Sequence, residues 1–317
     1  MRRLAHRLNA MNATGPLRLD RARLNAKKVK SARHGKPPLG AHLSIAGGVD
    51  KALERALALD CGAVQIFTAS NTQWRMPMPD ESIVARFREL HEETGFIDLL
   101  AHAKYLINLA SPNSELRERS IETLIKELEC CEILGVPSLI LHPGSHMGAG
   151  EAMGIRRISG ALKRVRRATA GFTATVVLEI TAGQGTGLGH TIEQLARIID
   201  RANGADHLGI CIDTAHAFAA GYDLRSAKLS KLFWEEIESQ IGLERVAAFH
   251  LNDSAKALGS RVDRHAHIGQ GLIGEGAFRR IMRDKRFVKI PKVLETPKTD
   301  DMDRVNLSLL LSFMGKS

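Results

Sequence analysis

Residues 249–271 read FHLNDSAKALGSRVDRHAHIGQG, so the apolar run Val246–Phe249 gives way to His250, Asn252, Asp253, Asp263, His265 and His267. Imidazoles and carboxylates crowded past the end of a strand-like run are costly to desolvate unless something binds them. A divalent cation does so. Other apolar runs end alike: LLAHAKY with His102, LILHPGSH with His142, VVLEITAG with Glu179, ICIDTAH with Asp213 and His216, and VLETP with Glu295. With His250, Asp263 and His265 the set comprises five imidazoles and four carboxylates without a thiolate. That mix suits Zn²⁺, and Mn²⁺ as second choice. At about three or four protein ligands per ion, the set exceeds one metal and, with a bridging carboxylate, serves three. A cluster of cations suits phosphoester hydrolysis, where metals activate water and steady the entering and leaving oxygens.

Such residues must share one rim. After Pro37-Pro38, β-branched or apolar runs recur at Leu39–Ala46, Ala63–Thr68, Ile97–His102, Ser138–His142, Thr175–Thr181, His207–Thr214, Arg245–His250 and Val288–Thr296. Amphipathic stretches such as Glu115–Leu134 and Thr191–Arg201 separate them, and Gly62, Gly135, Gly204 and Gly242 punctuate element ends as helix caps would. Strands alternating with helices over about 280 residues predict an α/β fold, a single-domain (β/α)8 TIM barrel over residues 38–317. The polar strand ends would then lie at the C-terminal mouth, where barrel enzymes keep their active sites. An open doubly wound sheet competes, but no G-x-G-x-x-G follows the first strand. The glycine-rich GQGTGLG at 183–189 lacks the Lys-Ser/Thr of a nucleotide-binding loop and instead suits close approach of the fifth loop to a ligand.

Composition narrows the class. With 317 residues, 44% hydrophobic and 25% charged, the chain has ample core for a globular protein. No apolar run approaches the roughly 18–20 residues of a membrane span. The four cysteines, Cys61, Cys130, Cys131 and Cys211, show no C-x-x-C spacing, which suggests buried thiols in a reducing cytoplasm. The net charge of +10 is local: residues 1–37 hold eleven Lys/Arg and one acid, Asp20, whereas residues 38–317 hold 34 of each sign. Residues 1–37 have no apolar signal core. They are expected to form a disordered basic extension, or to be the product of an upstream start since Met11 is also in frame, or to serve as a salt-sensitive polyanion-binding arm.

GAHLSIAGG (40–48), HAKYLINLASP (102–112), LHPGSH (141–146), LEITAGQG (178–185), CIDTAHAFAAGYD (211–223) and HLNDSAKALGSRVDRH (250–265) together resemble the endonuclease IV family of apurinic/apyrimidinic endonucleases. The resemblance runs in order over residues 39–315. It implies a deoxyribonuclease IV-type repair enzyme with a trinuclear zinc centre that cuts duplex DNA 5′ to abasic sites. The products would be a 3′-hydroxyl and a 5′-deoxyribose phosphate, with 3′-repair phosphodiesterase activity besides. Carried over by position, His102, His142 and Glu179 would hold the first zinc. Glu179 would bridge to the second, completed by Asp213, His250 and Glu295. His216, Asp263 and His265 would hold the third. Glu179 and Glu295 would orient the nucleophile.

The resemblance also implies DNA contacts. Tyr105 and Leu106 match side chains inserted into the minor groove, and Gln73-Trp74 match the second-strand loop. Thr72 stands where relatives can carry an inserting arginine, leaving Arg75 as the nearby cation. Lys256, displaced by one place, with Arg261 and Arg264, would meet the phosphate backbone, and Ala215 replaces a cysteine beside His216. His42 and His267 are expected to support ligands, and His6, His34, His91, His190 and His207 to be structural or solvent-facing. The competing activity is a metal-dependent sugar isomerase on the same barrel, which would favour two metals, carboxylate-rich ligands and a rim lysine. An amidohydrolase would want H-x-H after the first strand, where only His42 stands. A basic-armed DNA-binding protein with an inert barrel would leave the ligand set unused. A monomer is expected, since no heptad or spare apolar stripe stands out.

Overall fold

The computed structural model describes residues 36–95, 97–203 and 207–314; the basic stretch up to residue 35 and Gly204 lie outside the described residues. The apolar runs become β1 (Leu39–His42), β2 (Ala63–Phe67), β3 (Asp98–His102), β4 (Ser138–Leu141), β5 (Thr175–Glu179), β6 (Leu208–Asp213), β7 (Val246–His250) and β10 (Lys292–Leu294). These eight close into a parallel barrel ordered β1-β10-β7-β6-β5-β4-β3-β2. Around it lie α1 (Asp50–Ala58), α2 (Glu81–Glu93), α3 (Ser114–Leu134), α4 (Glu151–Ala168), α5 (Ile192–Arg201), α7 (Ala227–Gln240), α8 (Glu275–Arg283) and α9 (Met302–Phe313). The short helix α6 (Thr214–Ala220) follows β6 directly. The expected barrel is therefore the observed one, and the open sheet is excluded.

Local chemistry explains the boundaries. Asn113 caps α3 by accepting from Leu116 N, Thr191 caps α5 by accepting from Gln194 N, and Gly135 ends α3 at φ 76°. Gly62 is not a helix cap: α1 ends at Ala58 with Leu59 as its C-cap, and Gly62 directly precedes β2, where a Cβ would fall 2.0 Å from Pro37 O. Gly40 has the same office in β1, where a Cβ would sit 1.7 Å from Ala63 O. The first and last strands are shorter than expected. Val288–Ile290 turn, with Ile290 N donating to Phe287 O, and Pro291, which has no N–H for a ladder, only accepts from Phe249 N.

Side chains alternate across each strand, so one set fills the barrel and the other faces the helices. The interior layer is Ala63, Leu100, Ile140, Val177, Cys211, Ala248 and Val293. A larger cluster packs outside, with Leu99, Ala101, Leu139, Leu141, Leu178, Ile210, Ile212 and Phe249 facing the helices. Two residues beyond each interior position, the period of two brings Gln65, His102, His142, Glu179, Asp213, His250 and Glu295 inward at the C-terminal mouth. A register shift between Ile210 and Cys211 on β6 sets Asp213 opposite His250 of β7. All four cysteines are free and buried. No described helix is long and apolar enough to cross a membrane.

One buried acid lies below the mouth. Glu127 of α3 is fully buried, and its carboxylate accepts from Lys104 N at 3.2 and 3.4 Å. Burial pushes its carboxyl up to about 7, against the pull of Lys104. Between pH 4.5 and 7 the folded chain keeps a proton that the unfolded chain has released, so this stabilisation is full below 4.5 and lost as pH rises through 7. Glu127→Gln stays neutral throughout. Its stability relative to the parent chain should rise by up to about 3 kcal/mol between about pH 5 and 8, read from urea unfolding at both ends. A difference independent of pH would overturn the assignment.

Candidate metal centre

Glu179 ends β5, is fully buried, and has both oxygens ringed by imidazoles. Its Oε2 lies 3.1 Å from His102 Nε2 and 3.1 Å from His142 Nε2. Its Oε1 lies 2.9 Å from His250 Nδ1 and 3.1 Å from His216 Nδ1. Burial alone would raise this carboxyl, but the neighbouring His250 and His142 hold it well below the ordinary range. Burial works in the opposite sense on His102, His216 and His250. The facing carboxylates overcome it for His102 and His216, and Cys211 followed by Glu295 and Glu179 does so for His250, lifting all three above the ordinary imidazole value.

Among the described residues, three groups emerge whose potential ligand atoms all lie within 4.8 Å of one another: His102, His142 and Glu179; Glu179, Asp213, His250 and Glu295; and Asp213, His216 and His265. Asp263 joins the last, with Oδ2 3.2 Å from His216 Nε2 and Oδ1 3.3 Å from His265 Nε2. Asp213 thus faces two groups rather than the one expected, its Oδ2 lying 3.8 Å from His250 Nδ1 and 3.6 Å from His265 Nε2. The imidazoles of His216 and His265 pull the Asp263 carboxyl down to about 2 against its burial. His265 Nε2 is buried and accepts no hydrogen bond, a lone pair waiting for an electron-pair acceptor. Together with the all-nitrogen-and-oxygen donor set, it fits a divalent cation.

Two elements absent from the sequence reading build the third group. β8 (Asp253–Ser254) and β9 (His265–Ala266) pair antiparallel, Ser254 opposite His265. This clip folds the long loop after β7 back on the mouth. Asp253, one of the acids that first drew notice, is no ligand: its oxygens accept from Ser254, Gly269, Ile273 and Gly274 N and lock the clip. Gln184 Oε1 accepts from Asp263 N, fixing the exposed end of the loop.

Other polar residues hold the set in place. Asn252 donates to Asp213 Oδ2 at 2.7 Å and accepts from Glu295 N at 2.8 Å. Asp213 also caps α6 by accepting from His216 N. Gln65 of β2, fully buried, contacts His42, His250 and Glu295. Asn252 is among the polar residues after β7 that the sequence brings to notice, without a role assigned to it; Gln65 is not singled out there, although the period of two along β2 points to it. His42 Nδ1 lies 3.0 Å from Glu295 Oε1, the supporting place expected of it. His267 instead faces Asn306 and Thr299, away from the three groups.

A cleft of about 570 Å³ opens over the centre, with Tyr105, Gln184 and Arg264 on its walls. Tyr105 is 61% exposed, and its ring stands 5.5 Å from that of His102. Leu106 is half-buried beside it. Gln73 is exposed, whereas Trp74 is half-buried under the Arg119 guanidinium at 4.7 Å. Lys256, Arg261 and Arg264 are exposed on the loop between β8 and β9. Of these cations only Arg264 lines the cleft, while the backbone of Arg261 is tied to Ala219 O. Lys104 Nζ donates to Ser70 O, joining the second-strand loop to the end of β3.

Comparison with known proteins agrees with this architecture. A family model described as a xylose isomerase-like TIM barrel matches residues 53–311. The probable endonuclease 4 of Geobacter sulfurreducens is 49% identical over 274 residues, covering 86% of this chain and 93% of its own. The crystal structure of endonuclease IV from Thermus thermophilus superposes with a TM-score of 0.78 at 38% identity, covering 88% of this chain and 99% of that one. A D-tagatose 3-epimerase-like protein, at 18% identity and a TM-score of 0.68, shares the fold alone. The chain belongs to the endonuclease IV family.

Proposed function

We propose that this protein is a deoxyribonuclease IV-type DNA-repair endonuclease that hydrolyses the phosphodiester bond 5′ to abasic sites in duplex DNA. It leaves a 3′-hydroxyl and a 5′-deoxyribose phosphate, and clears blocked 3′ ends by the same chemistry. The observation that carries the reading is the fully buried Glu179 with imidazoles on both oxygens, beside two further ligating groups. His102, His142 and Glu179 would hold one zinc, Glu179, Asp213, His250 and Glu295 a second, and His216, Asp263 and His265 a third. Bound there, the cations supply water activation and charge to offset the phosphate.

The chain's own residues do the rest. Glu179 and Glu295 accept hydrogen bonds and so fix the direction from which water approaches phosphorus. Asn252 and His42 keep Asp213 and Glu295 from swinging into solvent. Tyr105, exposed at the rim, and Leu106 fill the stack vacated by a flipped sugar, whose extrusion costs least where the base is already gone. Gln73 and Trp74 face the same step, and Lys256, Arg261 and Arg264 meet phosphates. The reaction lies within residues 38–317, in a monomer working in the cytoplasm.

Incubating the purified chain with a duplex bearing one tetrahydrofuran abasic analogue tests the reading. One incision 5′ to the analogue supports it; no nicking, or isomerisation of an aldose, overturns it. In the same assay Tyr105→Ala should raise KM by roughly ten- to a hundredfold, the worth of one aromatic stacking contact, and change kcat less. An unchanged KM would place Tyr105 outside the DNA interface.

A further inference from the structure

The imidazoles at the mouth are aimed in two different ways. His102 Nδ1 lies 2.7 Å from Ala103 O, His216 Nδ1 3.0 Å from Ile180 O, and His265 Nδ1 3.1 Å from Glu295 O. A carbonyl only accepts, so each Nδ1 carries the hydrogen and each Nε2 keeps a lone pair for the centre. His250 is turned round. Its Nδ1 faces inward, 2.9 Å from Glu179 Oε1 and 3.2 Å from Glu295 Oε2, and its Nε2 lies 2.8 Å from Gln65 Oε1.

We propose that Gln65 is a positioning residue that makes Nδ1 the ligating nitrogen of His250 and holds Glu295 for the same cation. Its amide oxygen accepts from His250 Nε2–H, which leaves the lone pair on Nδ1. Its amide nitrogen donates to Glu295 Oε1 at 2.6 Å and lies 2.9 Å from His42 Nδ1. One side chain thereby orients two members of the group Glu179, Asp213, His250 and Glu295. Among the four imidazoles compared, His250 is the one whose nitrogen turned away from the centre meets a side-chain amide rather than a backbone carbonyl, so a substitution can remove that partner. Gln65 is fully buried, so no water replaces the lost partner without opening the barrel.

This inference rests on the proposed cation centre, and the experiment separates the two. Gln65→Met keeps the length and removes both hydrogen bonds. Zinc per chain is counted by elemental analysis after dialysis against a graded chelator, and the ligating nitrogen of His250 is read from ¹⁵N–¹H spectra of the loaded protein. Far-UV circular dichroism of the metal-free chains checks that both fold. The parent chain should retain about three zinc ions. Gln65→Met should bind one of them about 10- to 100-fold more weakly, the usual loss of an outer-sphere partner, and lose the uniform Nδ1-bound pattern of His250. Gln65→Glu keeps an acceptor facing Nε2 without an amide for Glu295, so it should retain the Nδ1 pattern, and it serves if the methionine variant does not fold. A parent with three ions and a Gln65→Met chain with equal retention, or with Nδ1 still uniformly bound, overturns the role of Gln65 and leaves the centre standing. So does loss of the Nδ1 pattern in Gln65→Glu. A parent chain that retains no zinc overturns both.

Discussion

Glu179→Gln is expected to lower incision at an abasic site by roughly a thousandfold, the scale of removing a charge aimed at the reacting centre. The carboxylate presents Oε2 to His102 and His142 and Oε1 to His250 and His216. An amide keeps one acceptor and turns two N–H groups toward the remaining imidazoles, so it cannot bridge two cations. Single-turnover incision should fall together with the zinc count, and the chain should remain folded, since Gln fills the same space. Glu127→Gln is the control: equally buried, outside the mouth, and expected to leave incision within about twofold, a change of less than 1 kcal/mol. Incision by Glu179→Gln within tenfold of the parent would overturn the bridging role proposed for Glu179.

Stripping metal should act on the fold as well as on the reaction. A cation at about a thousand times its Kd stabilises the chain by roughly 4 kcal/mol per site. At about 2–4 °C per kcal/mol for a domain of this size, one such site corresponds to a melting point about 10 °C higher. The metal-free protein should therefore melt at least that much lower and cut no DNA, and zinc should restore both. Reloading should also release protons. Without a cation, the carboxylates, and for His250 first of all Cys211, raise the affinity of His102, His216 and His250 for hydrogen ions, and ligation must displace them. A dye in weak buffer would register that release. A melting point indifferent to chelation would show that the cluster holds no ion.

The barrel was legible because its signals are local. Apolar runs of strand length, amphipathic separators and the caps at Asn113, Thr191 and Gly135 all point the same way. The centre was legible because a period of two carries each interior residue to a mouth residue, Val177 to Glu179, Cys211 to Asp213 and Ala248 to His250. What escaped depended on pairing between distant segments. Asp253 looks like a ligand in sequence, yet four backbone N–H groups claim it once the clip of β8 and β9 forms. The sharing of Asp213 between two groups follows from the register shift on β6, which no run of letters announces. Nothing in the sequence marks Gln65, whose three polar neighbours come from β1, β7 and the end of β10. The exposed lysine and arginines of the seventh loop are visible in sequence, but only the folded loop selects Arg264 for the cleft wall.

The clip of β8 and β9 makes the mouth modular. Six of the nine candidate ligands come straight off the staves of the barrel and His216 from α6, whereas Asp263 and His265 arrive on a flap pinned by Asp253. Shortening that flap would take Asp263 and His265 from the outermost group and leave the inner two on an unaltered frame. The same cylinder could thus be outfitted for chemistry needing fewer ions by editing one surface excursion.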